Sequence, residues 1–367
     1  MATEVNTNRT NTIAEARTRI KRCLNKKRPV FLWGPPGIGK SELMFQIAEE
    51  MGGAVIDCRL HVMQPTDIMG IPFYNKEVNK MDWAPPINLP DADFCSQYPV
   101  VILFLDEMNT AAPAVQAAAY QLVLDRKCGA YKLPDNVVIV AAGNRESDKG
   151  VTYRMPTPLA NRFVHLEARV DHGAWEVWAV DHKIHKDVVG YVGFAKQDLF
   201  DFDPKGASRA FASPRTWKFL SDLLEDEEEM TDSELTDLAA GTVGEGIALK
   251  FMAHRKIAGQ LPNPSDILSG KVTELKTKEI SAKYSLVISM CYELKAAYEN
   301  KVADKEFHSM ADNFFKFMMD NFETELVVMG ARVALTTYAL PFQPSKLTTF
   351  DAFHQRFGKY IVAASAK

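Results

Sequence analysis

The chain has 367 residues, 47% of them apolar and 25% charged, the balance of a soluble globular protein long enough for two or three domains. A formal net charge of −4 and a pI near 6.1 argue against bulk affinity for nucleic acid or an acidic membrane. No run of about twenty apolar residues appears, the N-terminus is polar, and Cys23, Cys58, Cys95, Cys128 and Cys291 form no C-x-x-C pair. These features point to free thiols in a reducing cytoplasm, with neither signal peptide nor membrane span.

From the N-terminus, a helical pattern over Thr12–Asn25 leads to Pro29-Val30-Phe31-Leu32-Trp33, an apolar run that reads as a buried strand. Gly34-Pro35-Pro36-Gly37-Ile38-Gly39-Lys40-Ser41 follows and matches G-x-x-x-x-G-K-[ST], the phosphate-binding P-loop. Its glycines let backbone N–H groups curl around phosphate oxygens, and the start of the next helix, over Ser41–Met51, adds a positive field. In that setting Lys40 reaches the β- and γ-phosphates of ATP, and Ser41 ligates Mg²⁺. A second strand is predicted at Ala54–Asp57.

The run Val100–Asp106 is a third, and it ends in two carboxylates, Asp106 and Glu107. In an open α/β sheet that end lies near the mouth of the P-loop, where Asp106 can hold Mg²⁺ and Glu107 can polarise water for attack on the γ-phosphate. A helix over Ala111–Asp125 and a strand over Val137–Ala142 come next, and the strand runs into Asn144. An asparagine there is most simply a turn residue. Its place after the P-loop and the Asp-Glu strand makes it a candidate to bond the attacking water or the γ-phosphate. A last apolar run spans Arg162–Leu166. Strands alternating with helices in this way predict an α/β fold with a parallel sheet flanked by helices.

Residues 171–260 look mostly helical. The acidic run Glu225-Asp226-Glu227-Glu228-Glu229 reads as a solvated face. Pro262-Asn263-Pro264 breaks the pattern, and residues 265–367 are helical again, with Phe314, Phe315, Phe317, Met318 and Phe322 spaced for core packing. His182 and His185 sit three apart without further ligands nearby and read as solvated or core histidines. No Ser-His-Asp pattern or G-x-S-x-G appears.

P-loop, Asp-Glu strand and strand-ending Asn, in that order, resemble the AAA+ ATPase core. More narrowly, Pro65-Thr66-Asp67-Ile68-Met69-Gly70, Trp83-Ala84-Pro85-Pro86-Ile87 and Asp106 through Gln116 are similar to motifs of the MoxR branch, which carries an insert in its second helix. The same holds for Gly150 to Pro156, Leu159 to Phe163, and Ala212-Ser213-Pro214-Arg215, so the likeness covers roughly residues 28–220. The resemblance implies sensor 1 at Asn144, an arginine finger at Arg162 acting on the neighbouring subunit's ATP, and sensor 2 at Arg215.

It also implies three parts: an α/β nucleotide-binding core over 1–170 with an insert around 57–89, a helical lid over 171–260, and a helical C-terminal extension over 261–367. By resemblance the protein is an ATP-hydrolysing homo-oligomer, a hexameric ring, that remodels or activates a partner protein, in some relatives one with a von Willebrand A-type domain. Phe73 and Tyr74 of the insert either grip that partner or pack the insert onto its own domain. The family's arginine after Asp-Glu-Ile-Asn is Thr110 here, and Arg126, Arg145 and Arg154 are candidate replacements. The alternative is an AAA+ ATPase acting on nucleic acid, such as a helicase loader; Lys26-Lys27-Arg28 is the one dense basic cluster that could serve it.

Overall fold

The computed structural model describes residues 9–128, 131–148, 153, 155–206, 208–225, 230–277 and 279–365. Two compact units emerge, one up to residue 171 together with 203–206, the other comprising 172–202 and everything from 207 onward.

The first unit runs β1 (Thr10–Asn11), α1 (Ile13–Asn25), β2 (Val30–Trp33), α2 (Lys40–Glu50), β3 (Ala54–Arg59), α3 (Pro65–Met69), β4 (Ile71–Asn75), β5 (Lys80–Ala84) and α4 (Ala92–Ser96). It continues through β6 (Val101–Asp106), α5 (Pro113–Asp125), β7 (Lys127–Cys128), β8 (Tyr131–Lys132), β9 (Val137–Gly143), α6 (Thr157–Ala160) and β10 (Val164–Ala168). Six of the strands form one parallel sheet in the order β1-β10-β2-β9-β6-β3. Alternation along each strand divides its side chains between two faces. Val101, Leu103 and Leu105 of β6 and Val137, Ile139 and Ala141 of β9 share one buried cluster with Val115, Ala119 and Leu122 of α5. Helices α1 and α2 pack against β2, β3, β6 and β10. A sheet covered this way reads as near-continuous apolar strands, which is why β6 and β9 were legible.

Boundaries moved where local hydrogen bonds decide them. The last strand begins at Val164 rather than Arg162, because the Arg162 and Phe163 N–H groups close a turn onto Leu159 and Ala160. Helix α5 begins at Pro113, since Ala112 is extended and proline suits a first helical position. The insert contains an antiparallel hairpin, β4–β5, that the sequence did not announce. Its strands mix Lys80 and Asp82 with Phe73 and Met81, so no clean alternation marks them.

The second unit is helical: α7 (His172–Asp181), α8 (Lys186–Phe194), α9 (Pro214–Leu223), α10 (Asp232–Val243), α11 (Glu245–Ala258), α12 (Pro264–Leu268), α13 (Ile280–Glu299), α14 (Asp304–Asn321), α15 (Thr324–Arg332) and α16 (Phe350–Ser365). A π-helical turn, Val333–Thr337, extends α15. Helix α13 packs on α8 and α11, so the expected boundary at 260 falls inside this unit. Phe314, Phe315, Phe317, Met318 and Phe322 are buried, as core residues should be. His182 stacks on Trp178 at 4.5 Å and His185 caps α8, and both lie in the α7–α8 connection. Asp226 to Glu229 of the acidic run lie outside the described residues. Among the described residues no helix is long and apolar enough to cross a membrane.

Candidate nucleotide site

The sheet register assembles the site. Trp33, the residue before the P-loop, pairs with Gly143, the residue before Asn144. The Gly34 N–H donates to the Gly143 carbonyl at 3.3 Å. The P-loop therefore leaves the sheet beside Asn144, and β6 next to β9 delivers Asp106 one strand further on.

Within the loop, Gly37 and Gly39 have φ of 78° and 91°. Only glycine adopts that region without steric cost, and here it turns the chain tightly into the N-terminus of α2. A Cβ on Gly39 would meet no protein atom within 4 Å, so the loop is open on that side. Lys40 Nζ donates to the carbonyls of Gly34 at 2.8 Å and Pro35 at 3.0 Å, and to Asn144 Oδ1 at 3.1 Å. Ser41 Oγ donates to Asp106 Oδ2 at 2.8 Å. Sixty-five residues apart in sequence, this hydroxyl and carboxylate are hard oxygen donors side by side at the loop, which is the donor set Mg²⁺ takes alongside phosphate. The residues present fit both ATP and the metal.

Glu107 has φ of 53°, unusual for a residue with a side chain, and such strain concentrates at functional sites. Three contacts hold that conformation. The Glu107 N–H donates to Asp106 Oδ1 at 2.8 Å, and the Glu107 carbonyl accepts from the Thr110 N–H at 3.0 Å and from Thr110 Oγ1 at 2.8 Å. Thr110 thus does local work that an arginine at that position could not do through a hydroxyl. The Glu107 carboxylate meets His61 Nδ1 at 2.8 Å. Neither His61 nor the Thr110 bond was foreseen. His61 lies in a short 3-10 turn, Leu60–Val62, that no periodicity marks.

Of the arginines, Arg162 is exposed on the turn after α6, and its side chain makes no hydrogen bond or ion pair among the described residues of this chain. The turn is anchored through Phe163, buried edge-on against Phe31 of β2. Arg215 sits in the first turn of α9, in the second unit, after Ser213 caps the helix and Pro214 opens it. Two of the three suggested replacements for the family's arginine are engaged in their own chain. Arg126 bonds the Pro134 and Val137 carbonyls at 2.7 and 2.8 Å, and Arg145 pairs with Asp148 at 2.9 Å and Glu167 at 3.3 Å. The third, Arg154, lies outside the described residues, as do Gly150, Val151 and Thr152.

A P-loop opening a helix, a Ser–Asp pair of oxygens, a carboxylate beside it and a polar residue at the end of the adjacent strand fit a P-loop nucleoside triphosphatase, and the parallel sheet, flanking helices and C-terminal helical region fit the AAA+ fold. Residues 30–167 match the family model of the ATPase family associated with various cellular activities (AAA). Over those residues the chain is similar to an AAA ATPase domain, a domain whose reaction is hydrolysis of ATP. A curated relative, Midasin of Giardia intestinalis, is 26% identical over 183 residues; the match covers 47% of this chain and 4% of the length of that much longer protein. Among solved structures, the Thermotoga maritima RuvB Holliday junction branch migration motor aligns with 16% identity over 84% of this chain and 86% of its own, at a TM-score of 0.34. The ADP complex of NtrX from Brucella abortus aligns with 14% identity over 94% and 68%, at 0.36.

Proposed function

We propose that the chain is a MoxR-like AAA+ motor: a homo-oligomeric ring, hexameric as in the family it resembles, that spends ATP to remodel or activate a partner protein. The observation that carries the ATPase half of this reading is the pairing of Lys40 with Asn144 and of Ser41 with Asp106 across three strand ends.

In that reading the P-loop N–H groups and Lys40 bind the β- and γ-phosphates. Ser41 and Asp106 hold Mg²⁺, which when bound draws charge from the phosphate oxygens. Glu107 takes a proton from the water that attacks the γ-phosphorus, and Asn144 orients that water or the γ-phosphate by hydrogen bond. Arg162 completes the neighbour's site, where its planar guanidinium stabilises charge on the γ-phosphoryl oxygens. Its exposed position, with no side-chain partner among the described residues, supports that assignment. Arg215 acts as the sensor of the helical lid, with 261–367 as an extension of it.

For the partner, support comes from the β4–β5 hairpin. Ile71 and Met81 are each 64% exposed, Tyr74 55% and Phe73 43%. An isolated two-stranded ribbon with apolar groups in water is a marginal structure that a binding partner would stabilise. Its charges are mixed, Lys76 and Lys80 against Glu77 and Asp82, which suits a polypeptide rather than a phosphate backbone. A von Willebrand A-type partner rests on the resemblance alone.

The test is ATP turnover per chain against protein concentration with Mg²⁺ present. Turnover that rises and saturates supports a site completed by a neighbour. Flat turnover in a species whose mass is that of one chain overturns the ring. Lys40→Ala should abolish nucleotide binding, and tight ATP binding by that variant would remove the P-loop assignment.

A further inference from the structure

Asn109 is a residue at the site that the assigned roles leave unused. It is 2% exposed, two residues beyond Glu107, on the loop leaving β6. Its Nδ2 donates to the backbone carbonyl of Asn144 at 2.7 Å. Its own carbonyl accepts the Tyr153 N–H at 2.7 Å. One residue earlier, the Met108 N–H donates to the Ala142 carbonyl at 3.0 Å. The loop that carries the base is thus stitched to the strand that carries Asn144, and the last stitch is a side chain.

Two features show that the amide is there for its donor. Among the described residues its buried Oδ1 has no hydrogen-bond partner, a desolvation cost that an apolar residue of the same shape would avoid. Turning the amide over would face that oxygen against the Asn144 carbonyl, acceptor against acceptor, so Nδ2 must point as described. Space is also reserved for it: a Cβ on Gly143 would collide with the Asn109 amide oxygen, so the residue before Asn144 has to be glycine for this packing to exist.

We propose that Asn109 is a positioning residue that fixes Asn144 relative to Glu107, so that sensor and base address the same water and γ-phosphate. The inference rests on the reading of Asn144 as a residue of the reaction. Binding of the nucleotide is left to the P-loop, to which Asn109 makes no hydrogen bond among the described residues. Loss of its donor should therefore lower kcat and spare affinity, as misplacement by about 1 Å costs on the order of 10²-fold in rate.

The experiment is a double-mutant cycle on the full-length protein at saturating chain concentration, with steady-state kcat and KM for ATP and the Kd for ADP. Asn144→Ala comes first; wild-type turnover in that variant fails the parent reading and removes the inference with it. Given a loss there, Asn109→Asp, which keeps the shape and removes the donor, should lower kcat about 10- to 100-fold. KM and Kd should stay within about threefold of wild type, and the double variant should turn over no more slowly than Asn144→Ala. Undiminished kcat in Asn109→Asp, losses that multiply in the double variant, or ADP affinity that falls in step with kcat would each overturn the proposal. If Asn109→Asp does not fold, Asn109→Ser, whose hydroxyl is too short to span to the carbonyl, is read by the same criteria.

Discussion

Polar groups are held differently at the nucleotide site of the first unit and around Glu176 in the helical core of the second. At the site they are bonded and aimed: Lys40 meets Asn144 at 3.1 Å and Ser41 meets Asp106 at 2.8 Å, while buried Asn109 gives a donor to the Asn144 carbonyl and its Oδ1 has no hydrogen-bond partner among the described residues. In the second unit a polar group is enclosed without comparable satisfaction. Glu176 of α7 is 8% exposed, its Oε2 meets His172 Nδ1 only at 4.0 Å, and among the described residues its Oε1 lacks a hydrogen-bond partner, as does the hydroxyl of Tyr338, just past the π-helical turn. The first pattern is what catalysis needs, since groups already oriented cost no reorganisation when charge develops. The second stores destabilisation, which a packed helical core can carry and which pH can read out.

The largest effects should come from breaking the first pattern. Arg162→Ala should lower turnover by about 10³- to 10⁵-fold and leave ATP binding intact. Mixing it with Lys40→Ala chains should restore part of the activity, because each supplies what the other lacks; a mixed ring without rescue would rule out action on a neighbour. Glu107→Gln should cost about 10²- to 10⁴-fold and trap bound ATP, to be seen as nucleotide that stays on the protein unhydrolysed. His61→Ala should act in the opposite direction. His61 occupies a carboxylate oxygen of Glu107, the proposed base, and a single hydrogen bond of about 0.5–1.5 kcal/mol corresponds to a rise in basal turnover of about two- to tenfold. A fall in turnover would mean that His61 orients the base rather than restrains it.

How much of this was legible follows from where each signal lives. The P-loop and the strand ending in Asp106 are written in contiguous residues, and the register of β2, β9 and β6 turns that order directly into a site. The contacts of His61 and Asn109 are between residues about 35 to 46 positions from their partners, joined only by the fold. Nothing local marks them, although Asn109 lies inside the run Asp106 through Gln116. The hairpin was hidden because its exposed strands break the apolar alternation that strand reading depends on. Arg215 was placed by resemblance, and the helix start around it is legible in Ser213-Pro214 alone. In the second unit uniform helical periodicity showed the fold class and gave no sign of which polar residues would be enclosed.

The smallest effect, and the one that sharpens the contrast, concerns Glu176. Burial raises its carboxyl above the ordinary range, and Lys196 and Arg332 pull it back only in part. Tyr284, Tyr338 and Cys291 face the same region and are themselves pushed up by burial, so they stay neutral. A carboxyl raised in the folded state holds its proton while the unfolded chain has already released one. Between the ordinary glutamate pKa and the raised one, stability must therefore fall as pH rises. Glu176→Gln removes that dependence and keeps the shape. The melting temperature of the variant should exceed that of the wild type, by a margin that grows from pH 5 towards pH 8, while ATP turnover in the first unit stays unchanged. A margin flat with pH would mean that Glu176 titrates as an ordinary carboxylate. In that case the unpaired oxygen is satisfied in solution, and the contrast between Glu176 and the bonded groups of the nucleotide site disappears.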